Sequence, residues 1–538
     1  MSQKLKSKKI IKRSIRSILP IKPVVLIILD GFGLANIKTP GNAVTPKTAP
    51  NIFSYLKKYP STKLKASGRD VGLFPGQEGN SEAGHFNIGA GRIVKQDIVR
   101  ISEAIKDGTF YKNEAFLLAI RQAQKHNNTL HIMGLLTNDQ SAHAHPGHVF
   151  ALLELARRHK IKKVALHLFT DGRDSSPHSA VMHLRRLKKF LFPHEIIASL
   201  TGRFYAMDRN KIWKRTEIAY RLLTEGKGMF TANSAEEAVV AGYNRGETDE
   251  YLQPTIITRT DGRPVTTIQD DDAVIFFNAR SDRARQITKA LVQTEFNKYN
   301  PGAFKRHHLP RRLCFVAMSD FGPDLPNVLT AFPSPDITNG LVVSIDHHLR
   351  HLYIAETEKY AHVTYFLNGG YADAINGEDR ELIPSGDVYS YADKPFMESK
   401  AVAARVVECV HKNLFDFITV NLANADMVGH SGDFLATCQG IKVMDAEVKK
   451  IVTEVLKHKG AVVITADHGN AEIMYNPKNG AIETEHSTSL VPFILISDRL
   501  KSIKLKPGRL ADVAPTILTL LGISKPKEMT GEILGNLK

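Results

Sequence analysis

Cysteine is nearly missing from this chain: Cys314, Cys409 and Cys438 are the only three in 538 residues. Three widely spaced thiols, odd in number, cannot form a disulfide framework, and they fit a reducing compartment such as the cytoplasm. Each reads as a small core residue. Long apolar runs are missing too. The longest, such as Val24 to Leu29 and Ala461 to Ala466, fall far short of the roughly 20 residues a membrane-spanning helix needs. They read as buried strands, and no membrane partner is expected. Acidic residues are absent from positions 1 to 22, and beyond that basic head the chain has no low-complexity tract and no internal repeat.

What is present is an excess of positive charge, 72 Lys and Arg against 55 Asp and Glu, for a net +17. Its location decides its meaning. Lys4, Lys6, Lys8, Lys9, Lys12, Arg13, Arg16 and Lys22 lie in the head, and removing these eight charges leaves +9 on a much longer chain. Residues 1–23 therefore read as a basic, disordered, solvated extension with no specific nucleic-acid partner. The interleaved serines resemble a transit peptide, but Pro20, Lys22 and Pro23 interrupt any signal-peptide core. A nucleic-acid-binding role finds no module and no basic patch interleaved with aromatics.

Short apolar segments rich in β-branched residues alternate with longer segments of helical period, the pattern of an α/β protein with a largely parallel sheet. Expected strands are Val24–Leu29, His131–Leu136, Lys163–Phe169, Glu195–Leu200, Ala273–Phe277, Leu313–Met318, Phe417–Leu422, Ala461–Thr465 and Pro492–Ile496. The spacing of Phe434, Cys438, Ile441, Met444, Val448 and Ile451 predicts a helix. Charged and imidazole side chains follow the strands one after another: Asp30, then His143 and His145, then Asp171, Arg173 and Asp174, Arg203 and Arg209, Arg280 and Arg283, Asp426 and His430, and Asp467 and His468. Ligands of open α/β sheets bind beyond the carboxyl ends of strands, so this placement points to a site. The carboxylate and histidine groups lie toward the two ends of the chain and the arginine loops in the middle. That division reads as one domain made from both termini with a second inserted into it.

Asp30, Asp426, His430, Asp467, His468 and His486 supply three carboxylates and three imidazoles. The mixed oxygen and nitrogen set suits Mn²⁺ or Zn²⁺ and is borderline for Mg²⁺. A lone Asp after a strand is usually a turn or cap residue and a lone His a hydrogen-bonding one, but such readings weaken when strand end after strand end carries one. Asp426 and His430 are expected to flank a turn at Gly429. Ser81 stands in a glycine-punctuated loop, Gly79-Asn80-Ser81-Glu82-Ala83-Gly84-His85. It reads either as a helix N-cap or as a nucleophile activated by a divalent metal.

The segments Val24-Val25-Leu26-Ile27-Ile28-Leu29-Asp30-Gly31-Phe32-Gly33, Gly79 to His85, Asp171-Gly172-Arg173-Asp174 and Gly202-Arg203-Phe204-Tyr205-Ala206-Met207-Asp208-Arg209 resemble successive signatures of the cofactor-independent phosphoglycerate mutases. So do Asp282-Arg283-Ala284-Arg285-Gln286, Ala355 to Thr364, Asp426-Met427-Val428-Gly429-His430 and Asp467-His468-Gly469-Asn470. Their order and spacing agree over residues 24 to 530. The metal-site motifs alone are similar to the wider alkaline phosphatase superfamily; the arginine loops narrow the resemblance to the mutases.

The resemblance implies an alkaline-phosphatase-like domain, residues 24–94 and 334–538, with an inserted α/β transferase domain, 95–333. It implies two Mn²⁺ ions, one held by Asp426, His430 and His486, the other by Asp30, Ser81, Asp467 and His468, and no use of 2,3-bisphosphoglycerate. It carries substrate contacts onto His143, Arg173, Asp174, Arg203, Arg209, Arg280, Arg283 and Lys359. The implied reaction is interconversion of 3-phosphoglycerate and 2-phosphoglycerate in glycolysis and gluconeogenesis. A phosphoserine forms at Ser81, Lys359 assists charge neutralisation, and the enzyme is expected to act as a monomer. Without the motif, Lys359 would read as a surface lysine between Glu356 and Glu358. The chain departs from the family pattern at Thr137 to His145, which lacks the usual paired glycines and is one residue longer, so that His145 competes with His143. It also carries Ser281 where proline is common. A metal-dependent phosphomonoesterase or another phosphomutase of the same superfamily, sharing Ser81 and both metals but acting on a different substrate, is the nearest rival.

Overall fold

Six apolar residues in a row, Val24–Leu29, leave no polar face for water, and a strand of that kind belongs between two others with helices above and below. All six are fully buried. The computed structural model describes residues 20–537 except 126, 326, 346, 477 and 478, so residues 1–19 of the basic head lie outside the described residues. Ile21 is already buried, and its N–H donates to the Leu520 carbonyl.

The chain divides into two units, one reaching to Lys95 and resuming at Asp336, the other spanning Gln96–Pro335. In the first unit, eight strands are ordered Asp379–Ile383, His351–Glu356, Phe417–Leu422, Val24–Leu29, Ala461–Thr465, Val491–Ile496, Ser61–Lys65 and Gly508–Arg509. The first five run parallel, and Val491–Ile496 is antiparallel to both its neighbours. Val24–Leu29 pairs with Phe417–Leu422 on one side and Ala461–Thr465 on the other. The N-terminal strand is thus built into the middle of the sheet, between two strands that come from the far end of the chain.

The helix Phe434–Lys457 covers this sheet. It starts where the Asp433 carboxylate accepts from the Ala436 N–H at 2.9 Å, a side-chain cap on one of the four unpaired first-turn donors. Its buried positions include Ile441, Met444, Val448 and Ile451, the face that the spacing predicts.

The second unit has its own eight-stranded sheet, ordered Val328–Phe332, Cys314–Ser319, Ala273–Phe276, Leu130–Leu136, Val164–Thr170, Glu195–Gly202, Thr255–Ile257 and Phe230–Ala232. It is parallel throughout except between Glu195–Gly202 and Thr255–Ile257. All nine expected strands are present, with ends shifted by two residues or fewer. The strands missing from the sequence reading are mostly short, exposed or polar, as in Ser-Thr-Lys-Leu-Lys at 61–65. Of the three thiols, all free, Cys409 is buried and Cys314 and Cys438 are half-buried. No described helix is long and apolar enough to cross a membrane.

Candidate active site

Ser81 is the first residue of the helix Ser81–Ala90, and the cap is its neighbour: Asn80 Oδ1 accepts from the Ala83 N–H at 2.8 Å. The hydroxyl is thereby released from capping. It lies 3.2 Å from Asp30 Oδ1, 3.0 Å from His468 Nε2 and 2.9 Å from Lys359 Nζ, and the residue is 7% exposed. The first turn of this helix presses against the end of the Ala461–Thr465 strand at Gly84, where a Cβ would stand 2.6 Å from the Asp467 carbonyl oxygen. Only glycine allows that approach. An anion arriving at Ser81 also meets the positive end of a helix dipole.

Lys359, in the short helix Thr357–Ala361 that follows the His351–Glu356 strand, is buried and donates to Asp30 Oδ1 and Asp426 Oδ2, each at 2.6 Å. This placement excludes the reading of a surface lysine; Glu356 and Glu358 pair instead with Ser385 and Tyr391. Burial works against charge on both Lys359 and Asp30. Their mutual attraction, helped by Asp426 for the lysine, overrides it and holds the ammonium and the carboxylate ionised.

Three histidines share one arrangement. His430 Nδ1 faces the Thr484 carbonyl at 2.7 Å, His486 Nδ1 the Gly79 carbonyl at 2.9 Å, and His468 Nδ1 the Gly469 carbonyl at 3.2 Å. Each Nδ1 thus faces a backbone acceptor and each Nε2 turns inward, the orientation of metal-ligating imidazoles. His430 Nε2 and His486 Nε2 lie 3.1 Å apart, and each is within 3.3 Å of Asp426 Oδ1. Two imidazole nitrogens facing each other beside a carboxylate form a place that suits a cation. His430 sits one helical turn after Asp426, capping the helix Asn424–Gly429, where the spacing had suggested a loop turn; the i,i+4 geometry brings both side chains to the same point.

Two donor groups, Asp426 with His468 and His486, and Asp30 with Asp467 and His468, each gather within 4.8 Å. Asp467 Oδ2 is buried with no hydrogen-bond partner. Burial disfavours protonating His468, yet Asp467, Asp30 and Asp426 together raise its pKa to about 10. Three buried carboxylates gather here and draw positive charge onto both Lys359 and His468, and the residues present fit divalent metal ions.

The second unit carries a different chemistry. Arg203, 3% exposed, donates to Asp171 and lies 3.0 Å from Asp174 Oδ1. Arg209 and Arg280 both reach Asp282, at 2.7 and 3.1 Å, and Arg173 lies 3.7 Å from Glu250. Arg283 donates to the Met207 carbonyl at 3.4 Å; burial, then Arg209, Arg203 and Arg173, lower its pKa to about 10. So many guanidiniums together favour an anionic occupant with paired oxygens. His143 is buried among them, its Nδ1 3.9 Å from Asp282 Oδ1 and without a hydrogen bond. Burial first, then Arg280 and Arg203, depress its pKa to about 3, so the ring is neutral. His145 instead caps the helix Pro146–Arg158, accepting from the Gly147 N–H at 3.0 Å. Geometry thus favours His143 over His145 as the ligand-facing imidazole.

Three supporting residues escaped the sequence reading as site members. Asn421 Nδ2 donates to Asp30 Oδ2 at 2.7 Å and meets His85 Nε2 at 3.1 Å. Buried Glu472 accepts from the Gly33 and Asn470 N–H groups at 3.0 and 2.9 Å and from the Ser487 hydroxyl. The one available signal for Asn421 is an amide inside a fully buried strand.

The fold and this donor set define a class: an α/β unit interrupted by a second α/β unit, with a carboxylate and imidazole donor set that fits metal ions beside a buried serine. Comparison with known proteins narrows it. The family described as BPG-independent PGAM N-terminus matches residues 101–322. The chain is 46% identical to 2,3-bisphosphoglycerate-independent phosphoglycerate mutase of Clostridium kluyveri over 516 residues, covering 95% of this chain and 99% of that one. It is equally identical to the enzyme of the same description from Moorella thermoacetica, at 95% and 98% coverage. Crystal structures of Leishmania mexicana phosphoglycerate mutase at low cobalt concentration superpose with a TM-score of 0.78 at 29% identity, over 96% of this chain and 98% of that one. The chain belongs to the 2,3-bisphosphoglycerate-independent phosphoglycerate mutase family. Its reaction is the interconversion of 3-phosphoglycerate and 2-phosphoglycerate, and a phosphoserine intermediate and a place in glycolysis and gluconeogenesis follow from the family.

Proposed function

We propose that Ser81 is the residue that carries the phosphoryl group. The observation behind this reading is the convergence of Lys359 Nζ, Asp30 Oδ1 and His468 Nε2 on one buried hydroxyl. Asp426, His430 and His486 would hold one divalent ion, and Asp30, Ser81, Asp467 and His468 a second, with Mn²⁺ the ion that best suits the mixed oxygen and nitrogen donors. When bound, the ions favour the Ser81 alkoxide and neutralise phosphoryl oxygens. Ser81 Oγ bonds to phosphorus as the bond from phosphorus to the glycerate oxygen breaks, and Lys359 supplies a proton to that departing oxygen. On return, the other glycerate hydroxyl gives its proton to Lys359 and takes the phosphoryl group from Ser81.

The inserted unit is the substrate-holding domain. Arg209, Arg280 and Arg283 bind phosphate and carboxylate oxygens; Arg173 and Asp174 hold the glycerate hydroxyls, so that glycerate turns without leaving. Arg203 is fixed by Asp171 and Asp174, and neutral His143 offers a ring nitrogen to the substrate. The enzyme works as a cytoplasmic monomer, needs no 2,3-bisphosphoglycerate and has no specific nucleic-acid partner.

The test is a coupled enolase assay of Mn²⁺-loaded protein without 2,3-bisphosphoglycerate. Wild type interconverts the two phosphoglycerates and Ser81→Ala does not. Retained interconversion by that variant would sink the assignment, and release of inorganic phosphate with no isomer formed would replace the mutase by a phosphatase.

A further inference from the structure

The ends of two helices in the first unit bring together a donor set that the phosphoryl-transfer chemistry does not use. His411 is the last residue of the helix Ser399–His411, Glu454 lies in the last turn of Phe434–Lys457, and His458 caps that helix. Their ligand atoms all lie within 4.8 Å of one another. Glu454 Oε1 is 3.0 Å from His411 Nδ1 and 3.7 Å from His458 Nδ1. Metal bonds of about 2.0–2.2 Å at a tetrahedral angle place two donors about 3.4 Å apart. The two observed spacings bracket that value.

The surroundings also favour a cation. Both helices end here, so their terminal carbonyls present the negative ends of two helix dipoles. Lys457 Nζ takes the other carboxylate oxygen, Oε2, at 2.9 Å, which leaves Oε1 to the imidazoles. His458 Nδ1 also lies 3.1 Å from the Glu454 carbonyl oxygen, a bond that ligation would exchange for one to the ion. Glu454 is nearly buried, whereas the side chain of His411 is 72% exposed, giving an entry path. A dication binds two neutral rings and one carboxylate together. The site is remote from Ser81: Glu454 stands 21 residues along the helix from Asp433, about 30 Å at 1.5 Å per residue, and Asp433 follows His430 by three positions.

We propose that His411, Glu454 and His458 form a further metal site, for a borderline divalent transition ion of the Zn²⁺ type, which clips the end of Ser399–His411 to the end of Phe434–Lys457. The test compares full-length wild type with His411→Ala/His458→Ala, each loaded with Mn²⁺, incubated with Zn²⁺, desalted and analysed for bound zinc. Phosphoglycerate mutase activity certifies that both are folded, and any zinc entering the active centre is common to both. Wild type should retain one zinc per chain more than the double variant, and zinc-soaked crystals should give a zinc-edge anomalous peak between the three side chains. Should the double variant not fold, His411→Ala alone, at the exposed position, carries the same expectation. Equal zinc content, or no peak at this place, overturns the proposal.

Discussion

Lys359 Nζ lies 2.9 Å from Ser81 Oγ, although 278 residues separate them in sequence. The ammonium also bridges Asp30 and Asp426, so one side chain ties the proposed nucleophile to a carboxylate from each proposed metal-ligand group.

Replacing Lys359 by Gln should lower kcat by about 10²- to 10⁴-fold, the range for loss of one acid or charge-stabilising group. KM should change little, because the lysine acts on charge that develops during transfer. Steady-state kinetics in the enolase-coupled assay decide it, and a kcat within tenfold of wild type would exclude the role.

The two loop histidines should separate cleanly. His143→Ala should raise KM for phosphoglycerate by at least tenfold with a small change in stability. His145→Ala removes a helix cap, costing about 1 kcal/mol, and should leave KM unaltered. Kinetics and urea denaturation on both variants test the pair, and the opposite pattern would assign the substrate contact to His145.

Chelation should lower the unfolding midpoint measured by calorimetry, since the carboxylates around Asp467 lose their counter-charge. Adding Mn²⁺ at about 100 times its Kd should restore about 2.7 kcal/mol. A midpoint indifferent to chelator would mean that these ligands bind no ion of consequence to the fold.

Glu472 organises the backbone from which His468 projects. The Gly33 and Asn470 N–H groups share one carboxylate oxygen and the Ser487 hydroxyl takes the other; Glu472→Gln removes the charge, puts an NH2 against the Ser487 hydroxyl and should reduce metal affinity or activity by about 10- to 100-fold, as loss of such supporting partners does. Metal titration followed by activity checks it; unchanged affinity and rate would leave Glu472 a packing residue.

Acid should destabilise the inserted unit in a defined window. His143 and His148 both have pKa values depressed to about 3, chiefly by burial, whereas an unfolded imidazole titrates near 6.5. Between those values the unfolded chain binds the extra proton. The stability contribution is therefore full above about pH 6.5 and is lost as pH falls, by up to about 1.4 kcal/mol per pH unit for each ring. Urea midpoints at pH 7 and pH 5 should differ accordingly, and His148→Gln should shrink the difference; an unchanged difference would place the titration elsewhere.

Legibility in the sequence followed burial. Val24–Leu29 and Ala461–Thr465 announce themselves because a strand covered on both faces must be apolar throughout, and their ends then locate Asp30 and Asp467. His351–Glu356 leads to Lys359, yet its own pattern begins with a histidine that is buried only because Tyr353 and the Asn376 carbonyl satisfy it. A partner such as the Asn376 carbonyl, 25 residues on, leaves no local trace. Asn421 and Glu472 were hidden for the same reason, since their partners lie about 390 and 440 residues away. The choice between His143 and His145 needed the helix that His145 caps.

The central position of Val24–Leu29 also sets a timetable. Its partners, Phe417–Leu422 and Ala461–Thr465, are made about 390 and 430 residues later. At about 5–20 residues per second the ribosome needs roughly 20–90 s to supply them. Through that interval six consecutive apolar residues of the nascent chain have neither neighbour, while all strands of the inserted unit emerge together and can pair. The order of birth is thus the inserted unit first and the catalytic sheet last, with the earliest strand a client for chaperones until the chain is nearly complete.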